Sequence, residues 1–197
     1  MSVNVTMTVS GKGAEVLLGI REAANDKDGL HEAIATNALR FVKNFGAEKS
    51  QSEHRTADAL GAKRTGHLER AYRSIESGFD QVSARLLVPR SSRLRAAFGS
   101  YTLRPVNGSK YLTIPVHPDA YGKRAREFTN LVALRVGPKK NLILARIDGD
   151  EVETMFFLTE KVEIREDATL IPFREIGEEA VEAVEEFIAN EAERRLA

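Results

Sequence analysis

Two stretches of the chain repeat apolar residues at the spacing of an amphipathic helix. The first follows Asp26 and Asp28, whose carboxylates suit the positive end of a helix dipole, and is expected to stop or bend at Gly46. The second follows Pro172, a residue tolerated in a first helical turn. The stripes are Leu30, Ile34, Ala38, Phe41, Val42 and Phe45, and then Phe173, Ile176, Ala180, Val181, Val184, Phe187, Ile188 and Ala192. The pattern predicts a long N-terminal helix and an acidic C-terminal helix.

The middle of the chain has the alternation and branched residues typical of β-strands. Asn107-Gly108 and Asp148-Gly149 are dipeptides that favour tight hairpins, so the strands on either side of each are expected to pair. Apolar residues at helical spacing predict a helix over 64–77, ahead of the strands in the middle of the chain. Strands are predicted near the N-terminus over 3–9, and then over 82–88, 101–106, 111–116, 131–136, 142–147 and 152–164. The order of helix, strands and helix predicts an α+β protein, in which an antiparallel sheet packs against the two long helices.

The length of the chain, 197 residues, fits a single domain spanning 1–197. One segment interrupts the regular pattern, because residues 47–66 are polar and small and show only weak periodicity. Irregular segments of this length in a compact domain are usually functional or become ordered on a partner. We therefore expect 47–66 to be a long exposed connection, partly helical, or a segment that a partner orders.

Composition excludes several classes of protein. The chain has no cysteine, which rules out disulfide frameworks, thiolate metal sites and a cysteine nucleophile. The N-terminal stretch lacks the basic and apolar regions of a secretory signal, and no apolar run is long enough to span a bilayer. These features predict a soluble protein made in a cytoplasm.

The zero net charge conceals a strong segregation of charge along the chain. Residues 1–147 hold 24 Lys and Arg against 13 Asp and Glu, whereas 148–197 hold 5 against 16. Two interpretations remain open: the acidic helix and the basic region neutralise each other within one molecule, or they attract separate partners.

The basic segment 81–118 contains no acidic residue, and its loop over 89–100 carries Arg90, Arg93 and Arg95. These side chains are candidates for contact with DNA phosphates. No aromatic residues alternate with them for base stacking, and no recognition-helix motif is present. The alternative function that this segment suggests is a small, non-specific nucleic-acid-binding module.

A His–carboxylate neighbourhood that suggests chemistry lies at His117-Pro118-Asp119. It could supply two metal ligands, or a general base and its orienting acid. In the other interpretation Asp119 caps a turn and His117 is a polar surface residue. The chain has no GxSxG, GxGxxG, P-loop or HExxH motif. We therefore predict a protein that is not an enzyme and has no metal and no cofactor.

Three stretches together resemble a known family, the phage virion morphogenesis proteins, which are the tail-completion or neck proteins of the phage Mu type. "KRTGHL" at 63–68 resembles the element after their N-terminal helix. "AFGSYTLRPVNGSKYLTIPVHPDAYGKRAREFTNLVAL" at 97–134 resembles their central signature, in which a strand leads into a turn of the form A.GKR..eF.dL. "MFFLTEKVEIREDATLIP" at 155–172 resembles the strand before their C-terminal helix.

The resemblance implies a non-enzymatic structural protein of the virion, assembled in the host bacterial cytoplasm as a ring, usually a hexamer. Such a ring joins the head connector to the tail terminator or tail tube and lets DNA pass, with transient non-specific DNA contact. Opposite charges on neighbouring copies suit this kind of closing interface. The candidate lumen or DNA-facing residues are Arg90, Arg93 and Arg95. The candidate contacts to an acidic partner are His117, Asp119, Tyr121, Lys123, Arg124, Arg126 and Phe128.

Overall fold

The computed structural model describes residues 12–52, 55–89, 93–138 and 140–194. The strand predicted over 3–9 lies outside these residues, as does Arg90. No helix within the described ranges is long and apolar enough to cross a membrane.

The described residues form helices and antiparallel strands, which confirms the predicted α+β class. The helices are α1 (Lys12–Asn25), α2 (Lys27–Ser52), α3 (Arg55–Leu60), α4 (His67–Arg73) and α5 (Phe173–Arg194). The strands are β1 (Glu76–Phe79), β2 (Ala84–Leu87), β3 (Tyr101–Leu103), β4 (Leu112–Pro115), β5 (Leu131–Val136), β6 (Asn141–Asp148), β7 (Glu151–Thr159) and β8 (Val162–Ile164). Short 3₁₀ helices lie in the loops at Arg93–Phe98, Pro118–Ala120, Ala125–Glu127 and Ala168–Leu170.

The chain divides into two compact units. Unit 1 comprises 1–46, 72–92 and 171–197, and unit 2 comprises 47–71 and 93–170. Each unit draws on segments that are distant along the chain, and the single domain over 1–197 stays a prediction.

Unit 1 is built from helices and one small hairpin. α1 packs along α5, and β1 pairs with β2 in an antiparallel two-stranded sheet. Asp26 caps the start of α2, where its carboxylate accepts the N–H of Gly29 at 3.0 Å, as expected for an N-cap acid. Tyr72 is fully buried and meets Phe45 of α2 edge to face, with ring centroids 6.1 Å apart.

The turn between β1 and β2 is held by the carboxylate of Asp80. Its Oδ1 accepts the backbone N–H groups of Val82 and Ser83, both at 2.9 Å, and its Oδ2 pairs with Arg85 at 2.7 Å. These backbone hydrogen bonds, first that of Val82, lower the pKa of Asp80 below its usual 3.8, and Arg85 adds to the effect. His31 connects this turn to α2, since its Nδ1 lies 2.6 Å from the carbonyl oxygen of Asp80 and donates to it.

The lowered pKa makes the stability of the fold depend on pH. A carboxylate whose folded pKa lies below its unfolded value of about 3.8 stabilises the fold above that pH, and the contribution is lost as the pH falls through the folded pKa. We expect Asp80→Asn to unfold at lower urea concentration than wild type at pH 7, with the difference shrinking below about pH 4. Urea midpoints across this range measure it. Asp150→Asn, in an exposed loop, serves as a control and should unfold like wild type, whereas a pH-independent deficit in Asp80→Asn would contradict the expectation.

Unit 2 contains an antiparallel four-stranded sheet in the order β4-β7-β6-β5, together with a separate β3–β8 pair. β6 and β7 are neighbours in the chain and form a hairpin whose register places Asp148 opposite Glu151. Only the first loop residue, Gly149, has positive φ, at 60°, which is the type II′ pattern that suits a twisted hairpin. The Asp148-Gly149 prediction of a hairpin is therefore confirmed, with Gly149 and Asp150 as its loop.

One part of the core of unit 2 lies on the face of this sheet that carries Phe156. Ala120, Met155 and Phe156 are completely buried there, and partly buried Phe128 and Leu144 pack against them. Met155 sits at the irregularity between β6 and β7, where Ala145 pairs with Thr154 and Leu144 with Phe156. This extra residue is a β-bulge, which changes the side-chain alternation locally and lets two consecutive residues of β7 be buried.

The prediction of a hairpin at Asn107-Gly108 is wrong, although the turn itself is present. Asn107 and Gly108 both have positive φ, at 57° and 75°, and Ser109 N–H donates to the carbonyl of Val106 at 3.2 Å. The strands on either side nevertheless pair elsewhere, β3 with β8 and β4 with β7. The predicted strand over 152–164 is also divided, into β7 and β8.

The segment 47–66 is more helical than the partly helical connection that was predicted, and three of its described residues are buried. α2 continues past Gly46 to Ser52, and α3 follows, so most of the segment is helical. Lys49, Ser50 and Ala57 are buried, and Lys49 Nζ reaches Thr169 Oγ1 at 3.5 Å. Small residues such as Ala57 suit close packing here, although their sequence pattern has no apolar stripe to indicate burial.

Candidate functional site

The segment 117–128 connects β4 to β5 as a compact double turn, which we call the basic turn. Its two 3₁₀ helices are Pro118–Ala120 and Ala125–Glu127. His117 caps the first, because its Nδ1 accepts the backbone N–H of Asp119 at 3.2 Å. The interpretation that Asp119 is the cap is therefore wrong: the imidazole fills this role, and Asp119 lies in the first helical turn.

Asp119 faces an ion-pair network on the sheet. Arg146 of β6 and Glu153 of β7 are direct cross-strand partners, and the guanidinium donates through Nε and Nη2 to Glu153 Oε2 at 2.9 and 2.6 Å. Arg146 Nη2 also lies 3.5 Å from Asp119 Oδ2. Hydrogen bonding to Glu153, with a smaller effect of Asp119, raises the pKa of Arg146. The network attaches the start of the basic turn to β6 and β7.

This geometry does not arrange His117 and Asp119 as a general base and its orienting acid. Such a pair needs an imidazole N–H that donates to the carboxylate. Here His117 Nδ1 accepts a backbone N–H, and it lies 3.9 Å from Asp119 Oδ2. Among the residues that the structure describes, no three His, Asp or Glu side chains lie close enough together to hold a metal ion. The arrangement therefore fits a structural role for this pair.

Apolar contacts hold the middle and the end of the basic turn on the sheet. Ala120 is completely buried, and Phe128 packs edge to face on Phe156 of β7 with ring centroids 5.7 Å apart. Phe128, a predicted partner contact, is thus half-buried against the core of its own unit. The ammonium group of Lys123 lies over the Phe128 ring, 5.6 Å from its centroid, in a cation–π contact.

A tight approach of two chain segments fixes the tip of the basic turn. Gly122 has φ +79°, a conformation that side chains rarely adopt. A Cβ at this position would lie 2.5 Å from Cγ2 of Thr65, which belongs to the loop before α4. Because a side chain at position 122 would both strain the backbone and collide with Thr65, glycine is required here. The tip is therefore held by a residue that is distant along the chain.

The outward surface of the basic turn is positively charged. Lys123, Arg124 and Arg126 are exposed, and Tyr121 is half-buried beside them. Arg124 supports the local structure through its backbone, since its N–H donates to Glu127 Oε1 at 3.1 Å. Within the described ranges, neither Arg124 nor Arg126 forms an ion pair through its guanidinium. The turn thus presents cations that the local fold does not neutralise.

The second predicted basic surface, over 89–100, is partly a 3₁₀ helix rather than a loop. Arg93 and Arg95 are exposed there, whereas the intervening Leu94 and the following Ala96 are buried. The guanidinium of Arg95 stacks on Tyr101, 4.7 Å from the ring centroid. The two arginines are therefore held on a packed turn of unit 2. Arg90 lies outside the described residues.

Sequence reasoning missed Thr65, Arg146 and Glu153 as parts of this site. For the ion pair a signal existed, because a two-residue hairpin loop at Gly149-Asp150 places residue 146 opposite residue 153. In a hairpin with this loop, residue 148 lies opposite residue 151, so residue 146 lies opposite residue 153. Arg146 and Glu153 are therefore a cross-strand pair of opposite charge that the sequence alone could indicate. Thr65 lies in the stretch "KRTGHL", but its contact with Gly122 is non-local and no sequence pattern indicated it.

Comparison with known proteins gave no relative: no protein-family model matches the chain, and no curated protein or solved structure is significantly similar to it.

Proposed function

We propose that this protein is a structural component of a tailed-bacteriophage virion, a tail-completion or neck protein. Copies of the chain form a ring, a hexamer by analogy with that family, that joins the head connector to the tail and lets DNA pass. The protein carries out no reaction in this role. The proposal rests on the resemblance of three sequence stretches to that family, and one structural observation supports it.

That observation is that the three stretches meet in unit 2. Thr65 of "KRTGHL" lies against Gly122 in the turn of the central signature. Strand β4 of the same signature pairs with β7, whose second half is the start of the third stretch, in the register Ile114 opposite Phe157. Contact between these stretches is what motifs of one structural unit require.

The exposed groups of unit 2 fit this role. The basic turn presents Lys123, Arg124 and Arg126 to a partner, and a ring needs complementary surfaces on neighbouring copies. Arg93 and Arg95 supply positive charge without an aromatic platform, which suits transient contact with passing DNA phosphates.

The test is the location of the protein in the particle. Purified virions of the phage that encodes this chain should contain it at a fixed copy number, and electron cryomicroscopy should show a ring at the head–tail junction. Particles made without the protein should accumulate as separate heads and tails, and supplying the protein should join them. Absence from mature virions would contradict the proposal. Absence combined with salt-sensitive DNA binding that Arg93→Ala and Arg95→Ala weaken would instead favour the nucleic-acid-binding module.

A further inference from the structure

We propose that the basic turn of one copy binds the outer face of α5 on a second copy of this chain. The inference rests on the proposed function for its biological setting, but its physical argument is separate. It names which two surfaces meet in the assembly. It follows from charges that the described fold leaves unpaired and from the shape of the two surfaces.

The outer face of α5 is acidic, with an exposed apolar residue at its edge. Glu182, Glu185 and Glu186 are exposed, and none of them forms an ion pair or hydrogen bond among the described residues. Val181, which precedes them on the same face, is 58% exposed. The opposite face of the helix is committed to unit 1, where Ala183 is buried and α1 packs along it. The outer face is therefore, among the described residues, an unpartnered acidic helix face with an exposed apolar residue at its edge.

The basic turn has the complementary composition. Its cations Lys123, Arg124 and Arg126 are exposed, and half-buried Tyr121 supplies an aromatic surface beside them. An apolar or aromatic centre within a charged rim is the usual anatomy of a protein interface, and tyrosine and arginine are enriched there. The turn is also rigid before binding, because the Arg146 network, Phe128 and Gly122 hold its start, end and tip. Little ordering cost would accompany binding.

The dimensions of the two charged surfaces agree. From Glu182 to Glu186 the helix rises about 6 Å, at roughly 1.5 Å per residue. From Lys123 to Arg126 the chain spans at most about 10 Å. The long side chains of lysine and arginine bridge a difference of this size, so three cations can lie opposite three carboxylates without a change in either backbone.

Charge complementarity identifies the occupant as another copy. The same chain carries both surfaces, and its excess of cations over 1–147 equals its excess of carboxylates over 148–197. A contact between two different surfaces of identical chains is heterologous, and a heterologous contact whose rotation closes generates a ring. Each copy in such a ring contributes one basic turn and one α5.

Two charge-reversed forms of the full chain test this contact. Lys123→Glu with Arg124→Glu and Arg126→Glu makes both surfaces acidic, and Glu182→Lys with Glu185→Lys and Glu186→Lys makes both basic. Each form alone should associate at least about 100-fold more weakly than wild type, because like charges then face each other. An equimolar mixture should assemble again, since copies of the two forms that alternate bring opposite charges together at every contact. Combining all six substitutions in one chain should restore assembly fully.

Native mass spectrometry and analytical ultracentrifugation measure these outcomes, and circular dichroism checks that each variant is folded. Arg104→Glu with Lys110→Glu and Arg135→Glu is the matched control, because it makes the same charge change at exposed positions off the basic turn. It should assemble like wild type. Increasing salt should weaken wild-type association.

Several results would overturn the contact. The wild type could stay monomeric at about 100 μM, or the reversed forms could assemble like wild type. The control could lose assembly as strongly as the reversed forms. Finally, the mixture and the variant with all six substitutions could both stay dissociated. The last result would indicate that these surfaces bind another protein. If the neck ring is present in virions and the reversals leave it intact, the proposed function stands and this contact alone is wrong. If the protein is absent from virions but the six-fold variant still assembles, the contact stands and the proposed function is wrong.

Discussion

Phe156→Ala should lower the free energy of unfolding by about 4 kcal/mol, within the range seen for buried phenylalanines. The ring is completely buried in the core of unit 2 and meets Phe128 edge to face. The substitution removes this apolar burial and leaves a cavity under the basic turn, which the sheet cannot fill because its strands are held by their ladders. Denaturant unfolding measures the loss.

Phe157→Ala is the matched control for this prediction. The neighbouring residue points to the opposite face of the sheet and is 43% exposed, so its truncation should cost only about 1 kcal/mol of unfolding free energy.

Tryptic cleavage of the folded protein tests whether the core holds the basic turn in place. Without Phe156, Phe128 loses its support, and trypsin should cleave the folded protein faster after Lys123, Arg124 or Arg126. Equal losses for the two variants, or unchanged cleavage in Phe156→Ala, would show that the core does not hold the turn.

The elements that depend on local periodicity could be predicted from sequence. The stripe from Phe173 to Ala192 predicted α5, which the structure places at Phe173–Arg194, and the strand predicted over 131–136 has the same bounds as β5. In α5 the apolar residues recur at helical spacing over most of the length, and Ala183 is buried. In β5 the sequence LVALRV does not alternate, and its apolar and branched composition favoured a strand. Local pattern and composition were sufficient for these two elements.

The pairing of strands could not be predicted in the same way. Asn107-Gly108 makes the backbone reverse direction, but the strands with which β3 and β4 form hydrogen bonds depend on packing over the whole unit. β3 pairs with β8 and β4 with β7, and in both pairs the partner is distant along the chain. A dipeptide favours a turn through its own φ angles, and it contains no information about which distant strand offers a better apolar partner.

The candidate site shows the same division. The cations of the basic turn and the position of His117 and Asp119 could be identified from sequence, since a polar run after a strand indicates an exposed turn. The groups that hold this turn could not, because Thr65 and Phe156 reach it through non-local packing. Sequence therefore indicated which side chains are presented, whereas only the structure shows what makes their presentation rigid.

Gly46 illustrates how one residue type supports two interpretations. Glycine in a helical pattern usually indicates the end of a helix, because it favours conformations other than the helical one. Here α2 continues through Gly46, and the reason for glycine is space. A Cβ at this position would lie 2.6 Å from Cδ1 of Tyr72, and closer still to other atoms of that side chain. Tyr72 is 1% exposed and cannot move aside into solvent.

Gly46→Ala should therefore destabilise the protein by about 2 kcal/mol. Overpacking against a buried ring costs about 3 kcal/mol, and the better helix propensity of alanine offsets about 1 kcal/mol of it. The control is Gly177→Ala in α5, where a Cβ would meet nothing within 4 Å and alanine should stabilise by about 1 kcal/mol. Urea unfolding should thus shift in opposite directions for the same chemical change in two helices. If Gly46→Ala were also stabilising, helix propensity would outweigh contact with Tyr72, and the close approach of α2 to this ring would not be a requirement of the fold.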